Sequence, residues 1–347
     1  MELNDNRSLN DNRSLNDNRS LYDNRSLYDN RSLNDNRSLN DNRSLYDNRN
    51  LKDLIIGGAS GYTWDQLKYW VNSIRKSEFN GDVVLVGTDM TKETIDKLTE
   101  NGIELSLYGQ KQENGDVISN NNSVPHVQRF FQMWNTLNQT KNDYRYIITT
   151  DTRDVIFQNN PSHWLESNLT LHSMVCSSEG IRYKNEPWGN QNLYQAFGPY
   201  FHNMLKDEKI YNVGTIAGEA RVMKSIFLLL FQLSINRPIP IVDQAAFNFI
   251  TSIHPFSTET YFASNSDSWA IQLGTTIEAV KSGSGDIGKE VLGNPSKLIE
   301  YQMKYEDVQP NIRIDGKVQT TSGNLYTIVH QWDRIPDLKQ KIEELYA

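Results

Sequence analysis

The stretch Tyr144–Pro161, YRYIITTDTRDVIFQNNP, decides the predicted fold. It opens with a β-branched and apolar run, continues through Asp151 and Asp154, and returns to an apolar triplet before the turn residues Asn-Asn-Pro. Because β-branched and aromatic residues favour a buried pleated surface, the first run predicts a central strand. Carboxylates are rare in a core unless they are paired or bind a metal. The two aspartates therefore predict a cation site at the carboxyl end of that strand, where open α/β sheets bind their ligands.

The local pattern also allows a simpler interpretation of the two carboxylates. Asp151 would then cap a turn, and Asp154 would form an ion pair with Arg153 or Arg145. Carboxylates of this kind need no metal, because a hydrogen bond or an opposite charge offsets their burial.

Composition excludes several classes of protein. The chain has 347 residues and a net charge of −8, which argues against the basic surface of a nucleic-acid-binding protein. Cys176 is the only cysteine, so an intramolecular disulfide and a cysteine-built zinc site are excluded. The longest apolar run, Ile226–Phe231, is far below the roughly 20 residues of a membrane span. With no signal-peptide pattern at the start, we expect a cytoplasmic location and no membrane span.

Residues 1–50 form a low-complexity tract. The hexapeptide L-[NY]-D-N-R-[SN] occurs eight times from Leu3 onward. A period of six matches neither a helix nor a heptad, so no continuous apolar face forms on a helix. One leucine per copy offers little area to bury, which predicts a disordered or extended spacer or adhesive arm. A stacked β-solenoid is the alternative. We therefore expect a repeat tract at 1–50 and one globular domain at 51–347.

The start of the globular part predicts a parallel sheet. Short buried strands and amphipathic helices alternate at 53–56, 64–76, 83–86, 91–100 and 103–107. This order of strand, helix, strand, helix and strand is typical of an α/β fold whose helices cross over between parallel strands.

Small residues follow the first strand and suggest a ligand-contacting turn. Gly57, Gly58 and Ala59 would let the backbone approach a nucleotide closely, and Tyr62 could stack on its base. The run lacks the G-x-G-x-x-G spacing of a dinucleotide site. An ordinary glycine loop remains an equally open interpretation.

The middle of the chain adds polar candidates. A helix is expected over 126–137, with His126 and Arg129 on its first turn, where either could meet a phosphate or an acid. A strand at 173–179 ends in Glu179. The aromatic and amide-rich segment 180–203 is expected to form loops that suit sugar rings, although such residues also occur simply as packing.

From residue 211 onward, we expect shorter and less regular elements of secondary structure. A glycine-containing strand at 211–218 precedes an apolar helix, and Asp243 is expected to be the N-cap of the next helix. We expect residues 275–309 to be loop-rich, with short strands at 310–317 and 326–329 before a terminal helix.

Taken together, four segments resemble the nucleotide-sugar glycosyltransferases of the GT-A fold. IITTDTRDVIFQNNP resembles their D-x-D strand, NVGTIAGEA the donor-pocket segment, VDQAAFN the Asp-Gln helix start, and IVHQWDR the C-terminal histidine segment. The catalytic region is also similar to the xylosyltransferase-like enzymes of large algal viruses. The resemblance implies a single GT-A-like domain with a central, mostly parallel sheet flanked by helices.

The resemblance also implies a metal site. Asp154 and His330 would be ligands, and Asp151 would bind the ribose or the metal through water. Oxygen-rich ligation suits Mn²⁺ or Mg²⁺, and a single imidazole favours Mn²⁺. Arg153 stands where the family has its second aspartate, so which acid binds the metal is open, and Arg153 could contact phosphate instead.

The remaining roles follow from the same resemblance. Asn212 and Gly214 would line the sugar-donor pocket. Asp243 would be the general base toward an acceptor hydroxyl, with Glu179 as the second choice. The implied partners are a nucleoside diphosphate sugar, in the first instance a UDP-sugar, and an oligosaccharide or glycoprotein glycan acceptor.

Two other functions compete with this prediction. A metal-dependent nucleotidyltransferase would favour a basic glycine-rich loop, and the segment from Gly57 to Tyr62 contains no lysine or arginine. A non-catalytic carbohydrate-binding or adhesion protein would have no reason to bring Asp154 and His330 together. The distance between these two residues therefore discriminates between an enzyme and an adhesion protein.

Overall fold

The computed structural model describes residues 51–119 and 124–347. The hexapeptide tract, residues 1–50, lies outside the described residues, and so do residues 120–123 of the polar segment before the third helix. Within the described part, no helix is long and apolar enough to cross a membrane.

The described chain contains fourteen strands, numbered in chain order. They are β1 Lys52–Ser60, β2 Asp82–Thr88, β3 Glu104–Leu107, β4 Gln110–Lys111, β5 Val117–Ile118, β6 Tyr144–Thr150, β7 Val155–Phe157, β8 Met174–Arg182, β9 Lys209–Glu219, β10 Thr260–Ala263, β11 Ala270–Gln272, β12 Asn311–Ile312, β13 Val318–Gln319 and β14 Ile328–His330.

Twelve α-helices accompany these strands. They are α1 Trp64–Lys76, α2 Lys92–Glu100, α3 Pro125–Gln139, α4 Pro161–Asn168, α5 Pro187–Leu205, α6 Ala220–Ser234, α7 Asp243–Thr251, α8 Phe256–Glu259, α9 Ile277–Lys281, α10 Gly285–Val291, α11 Pro295–Lys304 and α12 Pro336–Tyr346. Three short 3₁₀ helices lie within the described residues, at Tyr183–Asn185, Leu273–Thr275 and Trp332–Arg334.

A seven-stranded sheet in the order β10-β8-β9-β6-β1-β2-β3 forms the centre. Strand β9 is antiparallel to both of its neighbours, and the other six strands run in one direction. The predicted α/β fold with a central, mostly parallel sheet is confirmed, and so is the central position of β6.

Alternate residues of β6 pack against helices on the two faces of this sheet. Ile148 lies in one core cluster with Trp70 of α1. Ile147 lies in the other, with Phe130 of α3 and Phe227 of α6. Burial on both faces explains why the strand reads as a continuous apolar run rather than an alternating one.

A second sheet, in the order β11-β14-β7, joins the C-terminal segment to the strand after the two aspartates. Strand β7 is antiparallel to β14, and Val155 pairs with His330. This register brings His330 next to Asp154 although the two residues are far apart in the sequence.

Three predictions of local structure are wrong. The glycine run is not a turn after residue 56, because β1 continues through Ser60. Residues 187–205 form a helix with Leu193 and Ala196 in the core, so packing overrides the loop-like composition. The segment 275–309, expected to be loop-rich, contains the short helices α9, α10 and α11.

Asp243 is not the N-cap of its helix. Val242 occupies the N-cap position, and Asp243 is the first residue of α7. Its carboxylate accepts a hydrogen bond from Arg129 instead of one from the helix backbone. The cationic partner on α3 could not be recognised from the local sequence, which contains only the capping pattern.

Gly57 allows β1 to approach the segment that follows β6. A Cβ atom at position 57 would lie 2.3 Å from Thr152 Cγ2 and 3.1 Å from Trp70 Cζ2. Thr152 in turn donates a hydrogen bond to the carbonyl oxygen of Gly58 at 3.0 Å. The glycine is therefore required by packing between two backbone segments.

We expect Gly57→Ala to lower the free energy of unfolding by about 1–3 kcal/mol, the usual range for overpacking. In the double variant with Thr152→Ser, much of this loss should be recovered, because serine keeps the hydroxyl and removes Cγ2. Urea denaturation of the two single variants and the double variant measures this coupling. Additive effects in the double variant would contradict the packing role.

Candidate functional site

The backbone of β9 positions Asp151, the first residue after β6. Its N–H donates to the carbonyl oxygen of Gly214 at 2.9 Å. A Cβ atom at position 214 would lie 2.6 Å from Asp151 Oδ2. The Asn212 side-chain oxygen accepts from the Gly214 N–H at 2.8 Å and fixes this part of β9. Glycine at position 214 thus leaves room for the Asp151 carboxylate.

Asp154 and His330 meet because β7 pairs with β14. Gln331 N–H donates to the Asp154 carbonyl oxygen at 2.8 Å, which extends the pairing by one bond. His330 Nε2 lies 3.6 Å from Asp154 Oδ1 and 3.4 Å from Asp151 Oδ2. One ligand atom from each of these three residues lies within 4.8 Å of the other two.

The three side chains suit a divalent cation. Two carboxylates and one imidazole are the ligands of Mn²⁺ or Mg²⁺ sites in oxygen-rich surroundings. His330 Nδ1 is already hydrogen-bonded to Gln272 Oε1 at 2.6 Å, so Nε2 is the nitrogen that faces the carboxylates. Asp151, Asp154 and His330, named the metal cluster below, fit such an ion.

Arg129 of α3 links the metal cluster to α7. Its guanidinium forms ion pairs with Asp151 and, at 2.9 Å, with Asp243. All three side chains are buried or largely buried, so these charges are held in a low-dielectric environment where pairing is strong. Although burial lowers the pKa of Arg129, the two carboxylates outweigh it and raise that pKa above its usual range.

The charges within the metal cluster shift one another's protonation. Burial raises the pKa of Asp151, but Arg129 and His330 outweigh this effect and hold it well below the usual range. For Asp154, burial is again outweighed, mainly by His330, and the pKa is lowered. Burial lowers the pKa of His330, whereas Asp154 and Asp151 together raise it to about 10.

Two further arginines lie at the exposed side of the metal cluster. Arg153 is 3.4 Å from Asp154 and 3.5 Å from Asp333, and Arg334 is 3.8 Å from Asp154. Asp154 therefore forms the expected ion pair with Arg153 and also contacts His330. Arg145 is not its partner, because it pairs with Glu166 and with the buried Asp53 near the start of β1.

A pocket of about 510 Å³ opens over the metal cluster. It is lined by Gly58, Ala59, Ser60 and Tyr62 at and just after the end of β1, and by the metal cluster with Arg153 and Arg334. Further lining residues are Thr88, Asp89, Ser119, Pro125, His126, Gln128, Arg129, Gln132, Thr152 and Gln331. Carboxylate and arginine side chains thus share one pocket.

Several residues predicted for the site are not among those that line this pocket. Gly57 packs against Thr152, and Gly214 lies beside Asp151. Asn212 donates from Nδ2 to Glu179 Oε1 at 2.9 Å. Burial raises the pKa of Glu179 despite this hydrogen bond.

Sequence reasoning missed Gln272, noted Gln244 only as part of the Asp-Gln helix start, and left Arg129 undecided. Gln244 accepts a weak hydrogen bond from Asn212 at 3.3 Å, and Gln272 is bonded to His330. Gln244 directly follows Asp243 and could have been found from that neighbourhood. Gln272 has no local signal, because its role depends on the pairing of β11 with β14.

No protein-family model and no curated protein matches the sequence. Among solved structures, the chain is similar to the WbbM bifunctional glycosyltransferase, with a TM-score of 0.47 and 11% identity over 84% of this chain and 50% of WbbM. The galactosyltransferase LgtC, solved with donor and acceptor sugar analogues, has a TM-score of 0.47 and 11% identity, with coverage of 85% and 96%.

The glycosyltransferase GlyE of Streptococcus pneumoniae TIGR4 has a TM-score of 0.42 and 12% identity, with coverage of 86% of this chain and 64% of GlyE. The chain thus spans half the length of WbbM and less than two thirds of GlyE. Because these TM-scores are below 0.5, the function proposed below rests on the residues of the site.

The raised pKa of His330 makes the stability of the metal-free protein depend on pH. The pKa of His330 is about 10 in the folded protein, compared with 6.5 for an unperturbed histidine, as in the unfolded chain. Its contribution is therefore fully present below about pH 6.5 and is lost as the pH rises through 10. We expect urea denaturation with a chelator present to show this loss in the wild type and not in His330→Gln. Parallel pH profiles for the two proteins would contradict the charge assignment.

Proposed function

We propose that this protein is a metal-dependent glycosyltransferase that moves a sugar from a nucleoside diphosphate donor, a UDP-sugar, to a hydroxyl group of a glycan acceptor. One observation carries the proposal. Asp151, Asp154 and His330 meet within 4.8 Å in a pocket that Gly58, Ala59 and Ser60 at the end of β1 also line. A diphosphate needs a cation site next to backbone that it can approach closely.

The proposed donor site uses the charges of the pocket. Asp154 and His330 would hold Mn²⁺ or Mg²⁺, with Asp151 bound to the metal or to the ribose. A divalent ion there supplies electrostatic stabilisation of the diphosphate leaving group. Arg153 and Arg334 are close enough to Asp154 to share a ligand with it, and a planar guanidinium suits phosphate oxygens.

The nucleoside would lie along the end of β1. Gly58 and Ala59 line the pocket with little side-chain bulk, and Tyr62 offers an aromatic face to the base. Ser60 donates to Asp89 Oδ2 at 3.3 Å, so polar groups are also available at this end. The sugar to test first is xylose, because of the resemblance to the algal-virus enzymes.

The acceptor chemistry is assigned to the carboxylates behind the donor site. Asp243 is the proposed general base, and Glu179 is the alternative. Arg129 joins Asp243 to Asp151, so the charge at the donor side is coupled to the charge at the acceptor side. Glu179 is held by Asn212 in the adjoining part of β9. We propose the cytoplasm as the location.

The competing functions receive less support from the geometry. An adhesion protein predicts that Asp154 and His330 lie apart, whereas His330 Nε2 lies 3.6 Å from Asp154 Oδ1. A nucleotidyltransferase would place cations beside the glycine segment for a triphosphate. Here Arg153 and Arg334 lie around Asp154. Arg129, which packs beside Gly58, is already paired with Asp151 and Asp243.

Calorimetric titration of UDP into the protein, with and without Mn²⁺, tests the donor site. We expect binding that depends on Mn²⁺ and is lost in Asp154→Asn, since the amide keeps the shape of the ligand and removes its charge. Asp333→Asn is the matched control, because Asp333 lies 3.5 Å from Arg153 but is not a member of the metal cluster.

The control should keep metal-dependent binding. If wild-type protein binds neither UDP nor GDP in the presence of metal, the proposed function is wrong. If binding occurs but is unchanged in Asp154→Asn, a nucleotide site exists and the assigned ligand set is wrong.

A further inference from the structure

The Gln272 side chain lies directly beneath the metal cluster and connects the two sheets. Gln272 is the last residue of β11 and the register partner of His330 in the parallel pair β11–β14. Both residues are buried, with exposed fractions of 1% and 2%. A buried amide has four hydrogen-bonding positions, and leaving one of them without a partner destabilises the fold.

The amide nitrogen of Gln272 is held by the main sheet. Nε2 is 2.7 Å from Ser177 Oγ on β8 and 2.7 Å from Thr215 Oγ1 on β9. Both hydroxyl-bearing residues are fully buried. Because the two amide hydrogens are directed to these hydroxyls, the amide oxygen faces the other way.

The amide oxygen selects the tautomer of His330. Oε1 lies 2.6 Å from His330 Nδ1 and can only accept, so Nδ1 must carry the hydrogen. In the neutral imidazole the lone pair is then on Nε2, the nitrogen that faces Asp151 and Asp154. The reversed amide would direct its N–H groups at Nδ1 and would place the imidazole hydrogen on Nε2, where a metal ligand needs a lone pair.

We propose that Gln272 is a positioning residue that fixes the ring orientation and tautomer of His330 for metal binding. The inference rests on the proposed metal site, but it concerns a residue outside the metal cluster. Hydrogen bonds of this kind orient metal-binding histidines, and their removal typically weakens metal affinity about 10–100-fold.

The hydrogen bonds of Gln272 also explain how His330, in the three-stranded sheet, keeps its position relative to the seven-stranded sheet. Asp151 is fixed by Gly214 on β9, and Thr215, the next residue, binds the Gln272 amide. Two neighbouring residues of β9, Gly214 and Thr215, therefore position the ligands from both sheets. A change at Gln272 should alter the geometry of the metal cluster without altering its composition.

Calorimetric titration of Mn²⁺ alone into the full chain, after chelator treatment, tests the proposal. We expect Gln272→Leu to bind Mn²⁺ about 10–100-fold more weakly than the wild type, because leucine fills the space and leaves Nδ1 without an acceptor. Should this variant fail to fold, Gln272→Met is used instead, since its unbranched chain occupies a similar volume.

Gln158→Leu is the matched control for general damage to the fold. Gln158 is also a buried glutamine, and it makes three backbone hydrogen bonds, two to Val318 and one to Tyr326, away from the metal cluster. We expect it to lower the thermal stability and leave the Mn²⁺ affinity unchanged. Equal losses of affinity in Gln158→Leu and Gln272→Leu would overturn the positioning role.

Gln272→Glu provides the rescue. Its carboxylate still accepts from Nδ1–H, and the Ser177 and Thr215 hydroxyls can rotate to donate to it. We expect Mn²⁺ affinity within a few-fold of wild type in Gln272→Glu. Wild-type affinity in Gln272→Leu, or a Gln272→Glu variant as weak as Gln272→Leu, would overturn the inference. Absence of Mn²⁺ binding in the wild type would instead overturn the proposed metal site itself.

Discussion

Two carboxylates held in a mostly buried position at the end of β6 set the main constraint on this structure. Asp151 and Asp154 cannot remain ionised there without compensating charge. Arg129 supplies it from α3, His330 from β14, and Arg153 from the segment between the two acids. The short antiparallel pairing of β7 with β14 brings one of these partners, His330, next to the carboxylates.

The need to compensate these carboxylates also links helices and sheets that are not neighbours in the fold topology. Arg129 bridges Asp151 to Asp243, so α3 and α7 are joined electrostatically across the end of the sheet. Beneath the metal cluster, the Gln272 amide ties the smaller sheet to β9. The ion pairs with Arg129 and the buried Gln272 amide together hold the metal cluster in place. Arg153 and Arg334 line the pocket over it.

The sequence predicted those features that depend on local pattern. The β6 strand was predicted from its continuous apolar and β-branched run and α1 from its helical apolar spacing, and both are buried, as at Ile148 and Trp70. Helix α5 was missed because its aromatics and amides resemble loop composition, although Leu193 packs in the core. The pairing of Arg129 with Asp243 and of Gln272 with His330 could not be predicted, because each joins segments more than fifty residues apart in the sequence.

The central claim is that Asp151, Asp154 and His330 bind one divalent cation at a nucleotide site. Anomalous diffraction from crystals grown with Mn²⁺ and UDP tests it most directly, because the signal locates the ion without reference to activity. The account predicts one manganese peak within about 2.0–2.4 Å of a ligand atom of Asp154 and of His330, adjoining the diphosphate. A manganese peak elsewhere, or bound UDP with no metal at these residues, would contradict it.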